Sequence, residues 1–576
     1  METPRHFRPI IPRRDLIALA FCVAFGLLIS LLPHFIWWQK TGDTAWIASY
    51  DELVCYYPVA AQSYFNHPWR IADPTFAEGG VSMFPWLQYA PFVLLAKLFH
   101  TGPLFIGVFW RAWAGASMAL GLFLVARHFL KHTRAAALVA CVMMADAGVN
   151  WGRPLFNQFT VAWGLLQETP PEWFFGSHPV LLLQWRLITP GLSLFFLLLH
   201  VWLVARAAAQ PSRGNLALAG AGFGLLFYVY FYFWTAAGLA LLLALALDAR
   251  RRKIYLHTGW IGGVIGLPSL ILNTLLKQGA GNDWLERTDK FVAIPHFSEL
   301  LISKVAIAML VVAFVWIWLR RREWIHLWTL PAAGLLLMNH QVLTGLQIEN
   351  GHWGYVLFMG LSLLVLIAIA DALAKALAGR VEWRWTLGFV CALHLAAGVW
   401  FRAEEATQSR QMLEIQTNLE RYADQRELAA PIAFTPNSVI AGDAPFVDFA
   451  AVLDNLRPLE RTAFLSSSVS AENWDMRIAL NAFLNGATRD AFEQEQRALL
   501  NSNHTGSWGR DPVKRDLRLA RRLAAFDTIP IDPARIFDHF AVRYVALPAS
   551  QARPAYLAGG WILLQSGPHW HVWERR

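Results

Sequence analysis

Charge and cysteine are what this chain has least of. Only 15% of its 576 residues are charged while 56% are hydrophobic, and the mean hydropathy is +0.37. That balance excludes an ordinary soluble enzyme of this length. Of the four cysteines, Cys22, Cys141 and Cys391 lie in apolar runs and Cys55 stands alone in a loop. No pair has metal-ligand spacing, and no disulfide framework is visible. The first apolar stretch is too long for a signal peptide and lacks a clean cleavage site, so it reads as an uncleaved first span. From residue 402 onward there is neither a glycine-rich phosphate loop nor a nucleophile elbow.

What the chain does have is a succession of apolar runs of about 20 residues, the length that crosses a bilayer. They fall at 15–38, 103–130, 135–149, 189–206, 215–232, 234–249, 256–276, 299–319, 324–343, 354–378 and 385–401. The expectation is a polytopic α-helical membrane protein with about eleven transmembrane helices. Residues 84–99, interrupted by Pro85 and Pro91, read as a short interfacial or re-entrant piece. The net charge of +9 would suggest nucleic acid in a soluble protein. Here the basic residues gather in alternate short loops (Arg250 to Lys253, and Arg320 to Arg322), which is the positive-inside pattern, so nucleic acid is rejected. The pattern places the N-terminus in the cytoplasm and the acidic loops outside, in a membrane expected to be a bacterial inner (plasma) membrane. The 28 tryptophans suit interfacial belts, and some can stack on sugar rings.

Residues 1–401 are expected to form the membrane domain. The composition then turns to that of a soluble protein, and 402–576 is expected to be an extracytoplasmic α/β (or α+β) domain large enough for its own core. Short apolar runs (PIAFTP, SVIAG, TAFLSSS, YVALPA, WILLQS, WHVWER) read as strands, and 488–500 and 512–526 as helices. Asn503-His504-Thr505 matches a glycosylation sequon, a weak signal alone.

The candidate chemistry centres on the first external loop, 39–91. It carries adjacent carboxylates Asp51 and Glu52, then Tyr56 and Tyr57, then Asp73 and Glu78 near Pro74 and two glycines, where a turn is the simpler role. An acidic pair at a membrane surface is a candidate general base, although loop acids can also be merely solvated. An enzyme facing away from the cytoplasm has no nucleotide-sugar or ATP supply, and a lipid-phosphate-linked substrate meets that need. Such a reaction requires a carboxylate to deprotonate the acceptor and cations, or a metal, to stabilise the departing phosphate. Asp51 is the first choice for the base, with Glu52 as competitor. Arg153, Arg186 and His352 are candidates for the phosphate, with Tyr56, Tyr57 and Gln341 as further substrate contacts. Both arginines also suit interfacial snorkelling, and His352-Trp353 also suits an aromatic anchor. Glu349 and His352, three positions apart, are the candidate ligands of a divalent metal. Asn339, His340 and Gln341 are costly near the end of a span unless satisfied, by neighbouring helices or by substrate.

The first span, the acidic loop in YDELVCYYP, the further spans and the terminal RYVALP…GGWILLQSGPHWHVWER together resemble the GT-C glycosyltransferase superfamily, membrane enzymes that use polyprenyl-phosphate sugars. The chain lacks the WWD-type acceptor motif of the oligosaccharyltransferase branch, so peptide N-glycosylation is not expected. The resemblance implies an inverting transfer from a polyprenyl-phosphate sugar donor to a glycan, lipid or protein acceptor, with Asp51 as base. The rival classes are a transporter or flippase, against which no inverted repeat is visible, and a non-catalytic membrane assembly protein.

Overall fold

Long apolar runs leave the backbone no partner but itself, and the described residues are accordingly mostly helical. The structure, a computed structural model, describes residues 13–42, 52–67, 89–130, 132–145, 191–280, 292–293, 295–298, 300–302, 304–348, 350–377, 388, 391–392, 395–396, 399, 410–427, 433–460, 470–501 and 512–576. In its membrane part α1 is Arg13–Thr41, α2 Tyr57–Phe65, α3 Ala90–Leu98, α4 Ile106–Phe129, α5 Thr133–Ala145 and α6 Leu194–Ala209. There follow α7 Arg213–Leu226, α8 Phe231–Leu247, α9 Arg252–Ala280, α10 Lys304–Arg320, α11 Ile325–Met338, the single turn α12 Gln341–Thr344 and α13 Gly354–Ala376. A two-residue antiparallel pair, β1 Val292–Ala293 with β2 Leu346–Gln347, ties the segment before α10 to the one before α13.

Among the described residues, four helical stretches are long and apolar enough to cross a membrane: Asp15–Thr41, Pro103–Phe129, Ala249–Leu272 and Gly351–Ala376. The other expected spans between 133 and 343 coincide with shorter helices, α5 to α8, α10 and α11. The last expected span, 385–401, lies mostly outside the described residues.

Helix α4 is the hub of the bundle, packed on α1, α5 and α6. Its crossing with α1 is close enough to need glycine. A Cβ on Gly26 would stand 2.2 Å from the Gly115 carbonyl oxygen, and one on Gly115 would stand 2.2 Å from Ser30 Oγ. Small residues of this kind let membrane helices approach when no hydrophobic driving force brings them together. At the other end of α4, Arg127 donates to Asp15 Oδ2 at 3.0 Å and Thr133 Oγ1 donates to Asp15 Oδ1 at 2.5 Å. One buried carboxylate thereby pins the start of α1 to the turn between α4 and α5. Asp371 pairs with Arg321 at 2.7 Å and Lys375 at 2.6 Å.

The C-terminal region is a five-stranded mixed sheet with helices on both faces. Its elements are α14 Arg410–Glu427, β3 Val439–Gly442, α15 Ala444–Leu453, β4 Arg457–Pro458, α16 Ala471–Leu484, α17 Arg489–Asn501, α18 Pro512–Thr528, α19 Pro533–His539, β5 Val542–Pro548, β6 Trp561–Ser566 and β7 Trp570–Arg575. The strand order is β4-β3-β5-β7-β6. Strand β3 runs parallel to β4 and β5, and β7 runs antiparallel to β5 and β6. Strand alternation divides the core: Ile440 and Tyr544 join the cluster under α14 and α15, while Val439, Ala441 and Val545 join the one under α16 and α18. The expected strands SVIAG, YVALPA, WILLQS and WHVWER and both expected helices are present. In the run PIAFTP, residues 433–436 are not a strand, β4 was not anticipated, and TAFLSSS lies outside the described residues.

Candidate functional site

The first loop returns into the bundle. After α1 the described chain resumes with a π-helical turn, Glu52–Tyr56, which runs directly into α2. Glu52 lies at the start of this turn and is completely buried. Its Oε2 accepts from Arg111 Nη2 at 2.8 Å, with both side chains fully shielded from solvent. Arg111 is inside the apolar helix α4, about two turns from the Pro103 end of that span. An arginine at this depth is tolerated only with a partner, and its planar guanidinium suits a desolvated carboxylate better than lysine would.

Aromatic rings wall the pair. Trp110, adjacent to Arg111, meets Tyr57, Tyr89 and Phe92 edge to face, with centroids 6.2, 5.4 and 6.1 Å away. Tyr57, Tyr89 and Trp110 are all buried. Gly107, one turn before Arg111, makes room for them, since a Cβ there would stand 1.8 Å from the Tyr57 hydroxyl. The result is a neutral ion pair in a low-dielectric box, where breaking the pair costs far more than it would at a surface.

The other expected residues are dispersed. Tyr56 is half-buried against the same cluster that contains Tyr57. His352 Nδ1 meets the Tyr230 hydroxyl, and its ring stacks on Tyr232 with centroids 4.7 Å apart. Trp353 Nε1 donates to Thr235 Oγ1 at 2.9 Å. This joins the turn before α13 to the start of α8 through an aromatic cluster. Gln341 is buried and its Nε2 donates to the Ser298 carbonyl at 3.4 Å. Asn339 accepts from Leu301 N at 2.8 Å and donates to Leu301 O at 3.2 Å. The polar trio at the end of α11 therefore spends two of its amides on the backbone of 298–301. Asp51, Arg153, Arg186 and Glu349 lie outside the described residues, as do Asp73 and Glu78. Among the described residues, no group of three or more His, Cys, Asp or Glu is arranged to hold a metal.

Arg111 is the residue that sequence reasoning missed. The run 103–130 reads as a plain span, yet an arginine well inside such a run is itself a signal, because it demands a buried acid.

Several solved structures resemble this fold. The archaeal oligosaccharyltransferase AglB from Archaeoglobus fulgidus, in complex with an inhibitory peptide and a dolichol-phosphate, aligns over 93% of this chain and 69% of its own at 11% identity and a TM-score of 0.48. The Archaeoglobus fulgidus oligosaccharyltransferase in complex with Zn and sulfate aligns over 92% and 68% at 12% identity, with a TM-score of 0.42. ArnT from Cupriavidus metallidurans, bound to undecaprenyl phosphate, aligns over 98% of both chains at 12% identity, with a TM-score of 0.43. No protein-family model and no curated protein matches the chain.

Proposed function

We propose that this protein is a membrane glycosyltransferase of the GT-C class that moves a sugar from a polyprenyl-phosphate donor to an acceptor on the extracytoplasmic side. The observation that carries the reading is the buried Glu52–Arg111 pair. A carboxylate held by a guanidinium is a poor proton acceptor, since taking the proton would cancel its attraction to the buried Arg111. Of the two adjacent acids, Glu52 is then the anchor, and the base role falls to Asp51. In the proposed step Asp51 takes the proton of the acceptor hydroxyl while that oxygen attacks the anomeric carbon. The bond from that carbon to the phosphate oxygen breaks, and its electron pair leaves with the phosphate. A single displacement inverts the anomeric centre. Arg153, Arg186 and His352 are the proposed phosphate contacts. The shorter apolar helices are proposed to cross the membrane with the longer ones, giving about eleven spans, a cytoplasmic N-terminus and an extracytoplasmic C-terminal domain.

The test is release of free polyprenyl phosphate by purified protein in nanodiscs, across a panel of polyprenyl-phosphate hexoses and with or without divalent metal. Asp51→Asn is expected to lower release by about 100-fold or more with unfolding temperature unchanged, the scale of a lost general base. Glu52→Gln is expected to lower release and unfolding temperature together. Full release by Asp51→Asn would remove it as the base.

A further inference from the structure

We infer that the C-terminal domain is a positioning element of the candidate site, because it holds helix α2, and with it the Glu52 turn, through contacts separate from the Glu52–Arg111 pair. The inference rests on the glycosyltransferase reading for its kinetic consequence only. Three observations support it.

First, α2 has no core of its own. Tyr57, Ala60 and Ala61 belong to the same buried cluster as Phe446, Val447 and Ala450 of α15. Helix α2 packs directly on α15, which also touches the Pro103–Phe105 turn at the head of α4. A loop helix of nine residues is too short to be stable alone, so its position is set by what it packs against.

Second, the far end of α2 is tied to the domain by a node of amides. The C-cap residue of α2 is Asn66. Its Nδ2 donates to Gln62 Oε1 at 3.0 Å and to Asn437 Oδ1 at 3.2 Å, and Asn455 Oδ1 lies 3.4 Å from it. Asn437 Nδ2 returns a bond to Asn66 Oδ1 at 3.2 Å, and Asn437 N donates to the Asn455 carbonyl at 2.7 Å.

Third, the two asparagines reach Asn66 from backbone that few residues adopt. Asn437 has φ 63° and Asn455 φ 57°, two of the four non-glycine residues at positive φ among those described. Asparagine tolerates this region better than most side chains. That two such residues converge on one contact between the domain and the loop is an outlier of the kind that marks a functional constraint.

Helix α2, about 13 Å long, is thus fixed at its N-terminal end by the Glu52–Arg111 pair and at its C-terminal end by Asn437 and Asn455. Asn66, Asn437 and Asn455 are assigned as positioning residues. They act through α2 on the placement of the Glu52 turn, and in an active site a shift of about 1 Å can cost up to about 100-fold in rate.

The experiment uses the full chain in nanodiscs. Asn437→Gly combined with Asn455→Gly removes the amides but keeps the left-handed backbone accessible, and Asn66→Ala removes the same contact without altering the domain. Both are expected to lower kcat for polyprenyl phosphate release by about tenfold while KM for the donor stays within about twofold, the signature of lost positioning. Hydrogen exchange is expected to show about tenfold lower protection of amides 57–65 with 439–442 unchanged. Unchanged α2 protection and kcat in Asn66→Ala would overturn the inference, as would a kcat loss in which KM rises in step. If the double glycine variant exposes 439–442, the Asn66→Ala arm decides. If wild type releases nothing from any donor, the glycosyltransferase reading falls and the exchange comparison alone decides. Lost α2 protection then upholds the positioning and unchanged protection refutes it.

Discussion

Glu52 in the membrane bundle and Asp475 in the C-terminal domain are both buried carboxylates paired with arginine, and they are balanced differently. Glu52 pairs with Arg111, with both side chains fully shielded. Asp475 on α16 faces three from α18: Arg522 at 3.1 Å, Arg521 at 3.4 Å and Arg518 at 3.5 Å. Positions 518, 521 and 522 are spaced i, i+3, i+4 and so share one helix face. Arg521 remains 35% exposed, and Arg522 also donates to Gln496 Oε1. Surplus positive charge near water can be hydrated and screened. Within an apolar bundle it cannot, so a buried charge there needs an opposite charge beside it. The difference marks which region is built to exclude water, and the candidate site lies in that region.

The sharpest way to break the comparison is Arg111→Leu. It leaves Glu52 buried without its cation and is expected to cost about 3–5 kcal/mol, read as a lower unfolding temperature and lower yield in detergent. Added salt is not expected to rescue it, because no ion reaches the pair. Glu52→Leu with Arg111→Met is expected to recover most of the stability but none of the turnover, since the site loses its anchor. A stable single variant would show that the pair does not hold the turn in place.

Asp475→Asn comes next. It removes a carboxylate that these three guanidiniums share, but Arg521 can turn outward, so the expected cost is about 2 kcal/mol. Here sulfate or phosphate is expected to restore part of the loss by occupying the vacated charge. An anion effect at Asp475 and none at Arg111 is the predicted contrast. The same anion response in both variants would erase it.

The sequence made the helical character, the change of composition near residue 402 and most of the strands readable, because each follows from local hydrophobic period. WILLQS and WHVWER form β6 and β7 as their composition suggests. What it left hidden is long-range. Nothing local in YDELVCYYP says that Glu52 turns inward to meet a residue 59 positions later. Nor does anything local say that α2 shares its core with Phe446 and Val447. The acidic pair stood out as a motif, and the structure places Glu52 in an ion pair, while Asp51 lies outside the described residues. Arg111 was open to detection by the cost of its charge, whereas Asn437 and Asn455 carry no signal before their backbone angles are seen.

The smallest predicted effect is a slope with pH, and it sets two further carboxylates of the C-terminal domain against each other. Burial pushes the Asp454 carboxyl above its ordinary value of 3.8, against the opposing pull of the Tyr422 hydroxyl and Arg426. Arg426 lies 2.8 Å away. A raised acid contributes stability that is complete below its unfolded value and is lost as pH rises through the folded one. Glu493 on exposed α17 is the opposite case. Arg497, with Arg489, holds its carboxyl below the ordinary value of 4.5, so its contribution is present above that value and fades as pH falls. Wild type should therefore lose stability relative to Asp454→Asn as pH rises from about 4 towards 6, and gain it relative to Glu493→Gln over the same interval. Unfolding temperatures of the three proteins at matched ionic strength read both differences. Since other titrations cancel between variants, parallel curves for wild type and Asp454→Asn would mean that Arg426 and Tyr422 compensate its burial fully.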